Sequence, residues 1–129
     1  VNVMNIASIL VLIFLAITFI QSGYDKISDW KGNIEYLTGH FSQTFIRKMI
    51  PISLVILLIL ELIAGILCAV GAIQLAVNNI RTFGFYGAVF SCITLLFMLF
   101  AQRVAKDYEG ARTVTIYFIL AVLGVFWLS

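Results

Sequence analysis

Residues 52–73, ISLVILLILELIAGILCAVGAI, form an apolar run that carries a single acid, Glu61, near its middle. About 20 consecutive apolar residues are enough for a helix to cross the hydrocarbon core of a bilayer. An ionised carboxylate inside that core is costly unless another group compensates its charge. The segment therefore predicts a transmembrane helix, and it raises the question of what Glu61 does there.

The composition of the whole chain is that of an integral membrane protein. Of its 129 residues, 63% are hydrophobic and only 11% are charged, and the mean hydropathy is +1.12. A water-soluble core of this size needs no such hydropathy. A chain of this length is expected to form one domain, residues 1–129. The formal net charge of +2 is too small and too dispersed to indicate nucleic acid as a partner.

Three further apolar runs accompany the central segment. The four predicted spans are approximately residues 3–21, 51–73, 83–102 and 113–128. No basic stretch precedes the first span and no small-residue cleavage site follows it, so it is predicted to be a mature helix rather than a signal peptide. Because lipid offers no hydrogen-bond partner to the backbone, four such segments predict an all-α, integral membrane four-helix bundle.

The long first connection has the spacing of an amphipathic helix. Apolar side chains recur every three or four residues, at Tyr24, Ile27, Trp30, Ile34 and Leu37. The opposite face carries charged side chains, at Asp25, Lys26, Asp29, Lys31 and Glu35. Such a helix directly after a span is typical of an interfacial helix or of a lid over the bundle. Gly39 is expected to end it, and Pro51 suits the first turn of the next span.

The distribution of basic residues predicts the orientation of the bundle. The first and third connections lie at the same end and together carry Lys26, Lys31, Arg47, Lys48, Arg103, Lys106 and Arg112. The other end, which also holds both termini, carries Arg81. Because cytoplasmic loops are enriched in Lys and Arg, the first and third connections are predicted to be cytoplasmic and both termini external.

Small side chains mark the face of the second span that is predicted to point into the bundle. Gly65, Cys68 and Ala72 follow Glu61 on one helical face, and Gly23 lies just after the first span. Small residues let a neighbouring backbone approach closely. These four residues are therefore predicted to pack helices together, and Glu61 is predicted to point inward with them.

Charged residues are expected to surround a vestibule, or substrate-binding region, at the cytoplasmic end. They are Asp25, Lys26, Arg103 and Asp107. Glu61 lies beyond Pro51 by roughly 15 Å along the helix, at a rise of about 1.5 Å per residue. A direct ion pair with Lys26 needs staggered helices or inward-bent side chains, and a water-filled vestibule between them fits the sequence at least as well. In that second arrangement an unpaired Glu61 is expected to be protonated and ready to exchange a proton.

Three motifs resemble those of the DoxX family of small four-span bacterial membrane proteins. They are SGYDK at residues 22–26, ELIAGILCAVG at 61–71 and QRVAKDYEGA at 102–111. The resemblance extends over nearly the whole chain, with the motifs in the family's order and at similar spacing. The resemblance implies a four-helix bundle in the bacterial cytoplasmic (inner) membrane. In the founding context of the family, such a protein is a subunit of a thiosulfate:quinone oxidoreductase. The family pattern carries over to Gly23, Lys26, Glu61, Gly65 and Asp107.

The chain has few of the residues that hold metals or covalent cofactors. Cys68 and Cys92 lie on different predicted spans, where packing as small apolar side chains is expected in preference to thiol–disulfide chemistry. The sole histidine, His40, is expected to be a residue of the long connection rather than a haem ligand. No zinc or iron–sulfur spacing occurs. A quinone bound without a covalent bond is the cofactor that the DoxX resemblance suggests.

Three functions of different classes remain open. In the first, the bundle is a quinone-linked redox accessory subunit of a membrane complex, with Glu61 as proton carrier and electrons from a partner subunit or a substrate. In the second, it is a structural or assembly subunit in which Glu61 ties helices together. In the third, it is a small transporter or channel. Each function places the chain in the lipid bilayer beside other membrane subunits or further copies of itself. The sequence names no substrate, redox couple or oligomeric state.

Overall fold

Five helices make up the part of the chain that the structure describes. This computed structural model covers residues 3–40, 49–104 and 107–129. In chain order the helices are α1 (Val3–Ser28), α2 (Trp30–His40), α3 (Ile50–Asn78), α4 (Thr82–Val104) and α5 (Tyr108–Leu128). The predicted all-α class is confirmed, and α1, α3, α4 and α5 are long and apolar enough to span a membrane. Arg47, Lys48 and Lys106, which contributed to the predicted orientation, lie outside the described residues.

The four long helices extend beyond the predicted spans. Near the first connection α1 continues to Ser28, and at its far end α3 continues to Asn78. Elongating an existing helix adds one backbone hydrogen bond for each residue fixed, so polar residues continue a helix that an apolar run has started. α5 begins at Tyr108 because Asp107 caps it, with Oδ1 accepting a hydrogen bond from the Gly110 amide at 3.1 Å.

The amphipathic pattern of the first connection is divided between two helices. Its first turn belongs to α1, and α2 begins at Trp30 after a break at Asp29. The Asn33 side-chain amide donates hydrogen bonds to the carbonyls of Asp25 and Asp29, at 3.3 and 2.8 Å, and so connects the two helices across the break. α2 continues past Gly39 to His40, the last described residue before the gap. The position of α2 at a membrane interface stays a prediction.

The long helices pack in the spatial order α1, α3, α4, α5, and α5 returns to contact α1. Neighbours in this order run antiparallel. We call the end with α2 and the connection from α4 to α5 the loop end, and the end with both termini the terminal end. Buried apolar side chains fill the space between the helices, among them Leu12, Leu15, Phe19 and Leu95.

Small residues allow α3 to approach α1 and α4 closely. A Cβ atom at Gly65 would lie 2.8 Å from Cγ1 of Ile20 on α1, and one at Gly87 would lie 2.8 Å from the Cys68 backbone nitrogen. A Cβ atom at Gly71 would overlap the backbone of Gly84 on α4. Close backbone approach at glycine pairs is a common way for membrane helices to associate. The buried face of α3 therefore packs inside the bundle and is not a surface for a partner.

Hydrogen bonds between polar side chains close the terminal end. Arg81, which precedes α4, donates to Oδ1 of Asn5 at 3.1 Å and to the carbonyl of Trp127 at 3.3 Å. The Asn5 side-chain amide donates to Oδ1 of Asn79 at 2.6 Å. Asn79 ends α3 with φ 57°, a left-handed conformation that asparagine tolerates. These bonds join α1, the turn between α3 and α4, and α5.

The glycine contact between α3 and α4 predicts a stability loss in Gly71→Ala. The added methyl group would overlap the Gly84 backbone, so we expect the free energy of unfolding to fall by about 1–3 kcal/mol. Thermal unfolding of the detergent-solubilised protein measures this loss. Gly39→Ala is the matched control, because no described atom beyond its chain neighbours and the backbone of its own helix lies within 4 Å of the Cβ position there. Equal stability of the two variants would contradict the close crossing.

Candidate functional site

A buried ion pair joins α1 to α3. Lys26 Nζ lies 3.0 Å from Oε1 and 3.1 Å from Oε2 of Glu61, so the ammonium group contacts both carboxylate oxygens. Ser22 completes the group, because its hydroxyl donates to Glu61 Oε1 at 3.2 Å and accepts from Lys26 Nζ at 2.8 Å. Of the two arrangements that the sequence left open, the structure therefore has the direct pair.

The antiparallel packing of α1 and α3 explains how the two side chains meet. A Cβ atom at Gly23 would lie 2.9 Å from Leu62, which places this part of α1 beside the turn of α3 that carries Glu61. Side chains of a helix lean toward its N-terminus. Lys26 therefore leans into the bundle from the loop end, while Glu61 on the antiparallel helix leans toward the loop end. The extension of α1 beyond residue 21 supplies the turn from which Lys26 reaches back.

The two members of the pair differ in their exposure. The Glu61 side chain is 0% exposed, whereas that of Lys26 is 15% exposed. A buried ion pair is tolerated when its geometry is good and further hydrogen bonds satisfy its polar atoms. Here the three hydrogen-bond contacts of Nζ match the three donors of an ammonium group. Lys26 is therefore the member of the pair with surface outside the bundle, and Glu61 is in contact with that surface only through Lys26.

A cavity of about 460 Å³ lies at the loop end, and Lys26 forms part of its wall. Most of the lining is apolar, from residues of α2, α3 and α4 that include Leu37, Leu54, Leu57, Phe97 and Met98. Polar side chains contribute at a few positions, Lys26, Asn33, Ser53, Gln102 and Asp107 among them. A concave site that is mostly apolar, with a few polar groups to orient a ligand, is typical of small-molecule binding sites.

The four residues predicted to form a charged vestibule are not all brought together. Lys26 and Asp107 line the cavity. Asp25 is exposed, and so is Arg103, whose guanidinium group lies 5.6 Å from the centre of the Tyr108 ring. Asp25 and Arg103 are each adjacent in sequence to a cavity-lining residue, Lys26 and Gln102. One residue turns an α-helix by about 100°, so charge and sequence proximity alone do not decide which side chain faces inward.

The residues predicted to pack helices are all buried. Gly23 and Gly65 lie between α1 and α3, and Cys68 and Ala72 lie on the buried face of α3. Cys68 Sγ is 3.6 Å from the Ser91 hydroxyl, which in turn donates to the Gly87 carbonyl at 2.8 Å. Cys68 and Cys92 form no disulfide.

Two residues of the site were missed by the sequence reasoning. Ser22 was not predicted as a site residue, although its position one turn before Lys26 places both side chains on one face of α1. Gln102 gave no signal, because an uncharged residue at the end of an apolar span is usually solvated. Within the described ranges, no three His, Cys, Asp or Glu side chains are grouped as metal ligands. His40 ends α2, and its side chain lies outside the described set.

Comparison with known proteins returned no family model, no curated protein and no solved structure that matches this chain. The residues of the ion pair and the cavity are therefore the basis for the function proposed below.

The ion pair predicts strong energetic coupling between Lys26 and Glu61. Lys26→Met leaves the Glu61 charge buried without its partner, so we expect the free energy of unfolding to fall by about 3–5 kcal/mol. The double variant Lys26→Met/Glu61→Leu removes both charges and is expected to recover most of this loss. Denaturation of the four proteins of this double-mutant cycle in detergent measures the coupling.

Lys31→Met is the control for this cycle, because Lys31 is exposed on α2. A surface substitution of this kind is expected to change stability by less than about 0.5 kcal/mol. Strictly additive losses in the double variant would contradict direct contact between Lys26 and Glu61.

Proposed function

We propose that this multi-pass membrane protein is a DoxX-like, quinone-linked accessory subunit of a bacterial inner-membrane complex, and that the loop-end cavity binds the quinone. The observation that carries this proposal is the double position of Lys26. Its side chain forms part of the cavity wall and also holds the buried carboxylate of Glu61. Lys26 therefore lies between a head group bound at this wall and the buried carboxylate of Glu61.

The chemistry of the cavity suits an amphipathic ring with a long apolar tail. Its volume of about 460 Å³ lies within the usual range of ligand pockets, roughly 300–1,000 Å³. Phe97 and Met98 offer the polarizable surface that an aromatic ring prefers, and Leu54 and Leu57 offer aliphatic surface. Quinones combine such a ring and tail with two polar oxygen atoms, which the few polar wall groups are able to orient.

The ion pair gives this proposal its proton chemistry. Two-electron reduction of a quinone to a quinol consumes two protons. In this proposal the Lys26 ammonium group at the cavity wall donates one of them and is reprotonated from the aqueous phase at the loop end, which also supplies the second proton. Glu61 contacts the cavity through Lys26 rather than directly, so its proposed part as proton carrier becomes that of the second group in a short relay. In this proposal the electrons come from a partner subunit, and the loop end faces the cytoplasm.

A structural or assembly role is the second candidate. The observation that favours it is that the Lys26–Glu61 pair joins α1 to α3, which is what a purely structural ion pair does. Under this candidate the cavity has no quinone to bind. Binding of a quinone to the protein therefore separates the two functions.

Filling the cavity is expected to abolish quinone binding. Ser53 is half-buried and lines the cavity, so Ser53→Trp places a large ring inside it. Ile56→Trp is the matched control, since Ile56 is on the same helix but is 45% exposed. We expect an azido-quinone to photolabel the wild-type protein in lipid nanodiscs, in competition with decylubiquinone. Labelling should fall at least about tenfold in Ser53→Trp and persist in Ile56→Trp.

Two results would contradict the quinone function. One is wild-type protein that decylubiquinone does not protect from labelling, which would leave the assembly role. The other is equal loss of labelling in both tryptophan variants, which would place the label outside the cavity.

A further inference from the structure

Gln102 is a cavity residue with an unused hydrogen-bond acceptor. It lies in the last turn of α4 and lines the loop-end cavity. Its side-chain oxygen Oε1 is buried and has no hydrogen-bond partner among the residues that the structure describes. A buried acceptor without a donor loses the hydrogen bonds that water would give it. Gln102 lines the cavity while Oε1 itself is buried in its wall, so a ligand with a donor group that meets this oxygen after a small movement of the side-chain amide gains more than a ligand without one.

The neighbours of Gln102 indicate which end of its side-chain amide faces Asp107. A Cβ atom added at Gly110 would lie 2.7 Å from Gln102 Nε2 and 2.6 Å from Oδ2 of Asp107. The amide nitrogen and the carboxylate therefore lie close to the same point at the start of α5. Because nitrogen is the donor end of the amide and a carboxylate is an acceptor, this arrangement assigns Nε2 to the Asp107 side and leaves Oε1 turned away from it.

The Lys26 and Asn33 donors of the cavity wall already have hydrogen-bond partners, whereas Gln102 Oε1 has none among the described residues. The contacts of Lys26 Nζ with Ser22 and with both oxygens of Glu61 use the three donors of its ammonium group. The Asn33 side-chain amide donates to two backbone carbonyls. A ligand that only accepts hydrogen bonds must therefore compete with existing partners of these groups. A ligand that donates one finds Gln102 Oε1 free of a described partner.

We propose that the cavity selects a head group with a hydroxyl donor, and that Gln102 Oε1 accepts the hydrogen bond from this hydroxyl group. This inference rests on the proposed quinone function and deepens it. Within the quinone class, the ligand form that carries such a donor is the reduced quinol. The oxidised quinone has two carbonyl acceptors and no donor on its ring. Gln102 thus makes the site selective for the redox state of its ligand.

Competition against azido-quinone labelling in nanodiscs tests this selectivity with three probes. They are decylubiquinone, decylubiquinol and the dimethyl ether of decylubiquinol, which keeps the reduced ring but lacks the hydroxyl donors. We expect the wild-type protein to bind the quinol about tenfold more tightly than the quinone or the ether, as one hydrogen bond to an otherwise unpaired buried group allows. The measurement is made under anaerobic conditions so that the quinol stays reduced.

Gln102→Met removes the acceptor while nearly preserving side-chain length, and it is expected to bring the three affinities within about threefold of each other. Its affinity for the quinone should stay close to that of the wild type. Gln102→Glu keeps an acceptor at the same position and is expected to retain preference for the quinol. Gln74→Met is the matched control, because Gln74 Oε1 is also buried without a described partner but does not line this cavity.

The possible results separate the failure of this inference from the failure of the function. Equal binding of quinol, quinone and ether to the wild-type protein would overturn the selectivity and leave quinone binding intact. A preference for quinol that survives in Gln102→Met would overturn the assignment to Gln102. Absence of competition by all three probes would overturn the quinone function, and with it the inference.

Discussion

The contact between Glu61 and Lys26 is the constraint on which the rest of the bundle depends. Inside an apolar helix, an acid that is 0% exposed is stabilised in its ionised form by an opposite charge within hydrogen-bond distance, and Lys26 supplies that charge at 3.0 Å. That requirement fixes the register of α1 against α3, which Gly23 and Gly65 permit by letting the two backbones approach. It also requires α1 to stay helical through Ser28, beyond the end of its apolar run.

The same contact connects the interior of the bundle to the loop end. Lys26 is the member of the pair that borders the cavity. A change in the charge of either partner therefore changes the electrostatic potential at the cavity wall. Gln102 and Asp107 approach this wall from the other side, where α4 ends and α5 begins. The cavity wall thus includes Lys26, whose charge is balanced by Glu61, and Gln102, whose side-chain oxygen has no described hydrogen-bond donor. The ligand proposed for it is amphipathic with a polar but uncharged head, the class to which quinones and quinols belong.

Hydropathy alone predicted the class of the protein and its four long helices, because apolar length is a direct requirement for spanning a bilayer. Small residues at helical spacing also indicated that the face of Glu61 points inward. The direct ion pair was not predictable from hydropathy, because the apolar run ends before Lys26 and gives no sign that α1 continues. Nor did charge show that Asp25 and Arg103 are exposed, because the rotation of each helix is set by packing. Gln102 carries no charge, and only the cavity around it distinguishes it.

The distance between Lys26 and Glu61 in a lipid bilayer shows whether the two side chains form the ion pair that joins α1 to α3. Solid-state NMR on protein with ¹⁵N-labelled lysine and ¹³C-labelled glutamate measures the dipolar coupling between Nζ and the carboxylate carbon, with Lys26→Arg and Glu61→Gln proteins assigning the signals. The account predicts strong coupling, consistent with Nζ at 3.0 and 3.1 Å from the two carboxylate oxygens, and a carboxylate carbon shift of the ionised form. A Glu61 carboxyl that is protonated and shows no coupling to any lysine would contradict it.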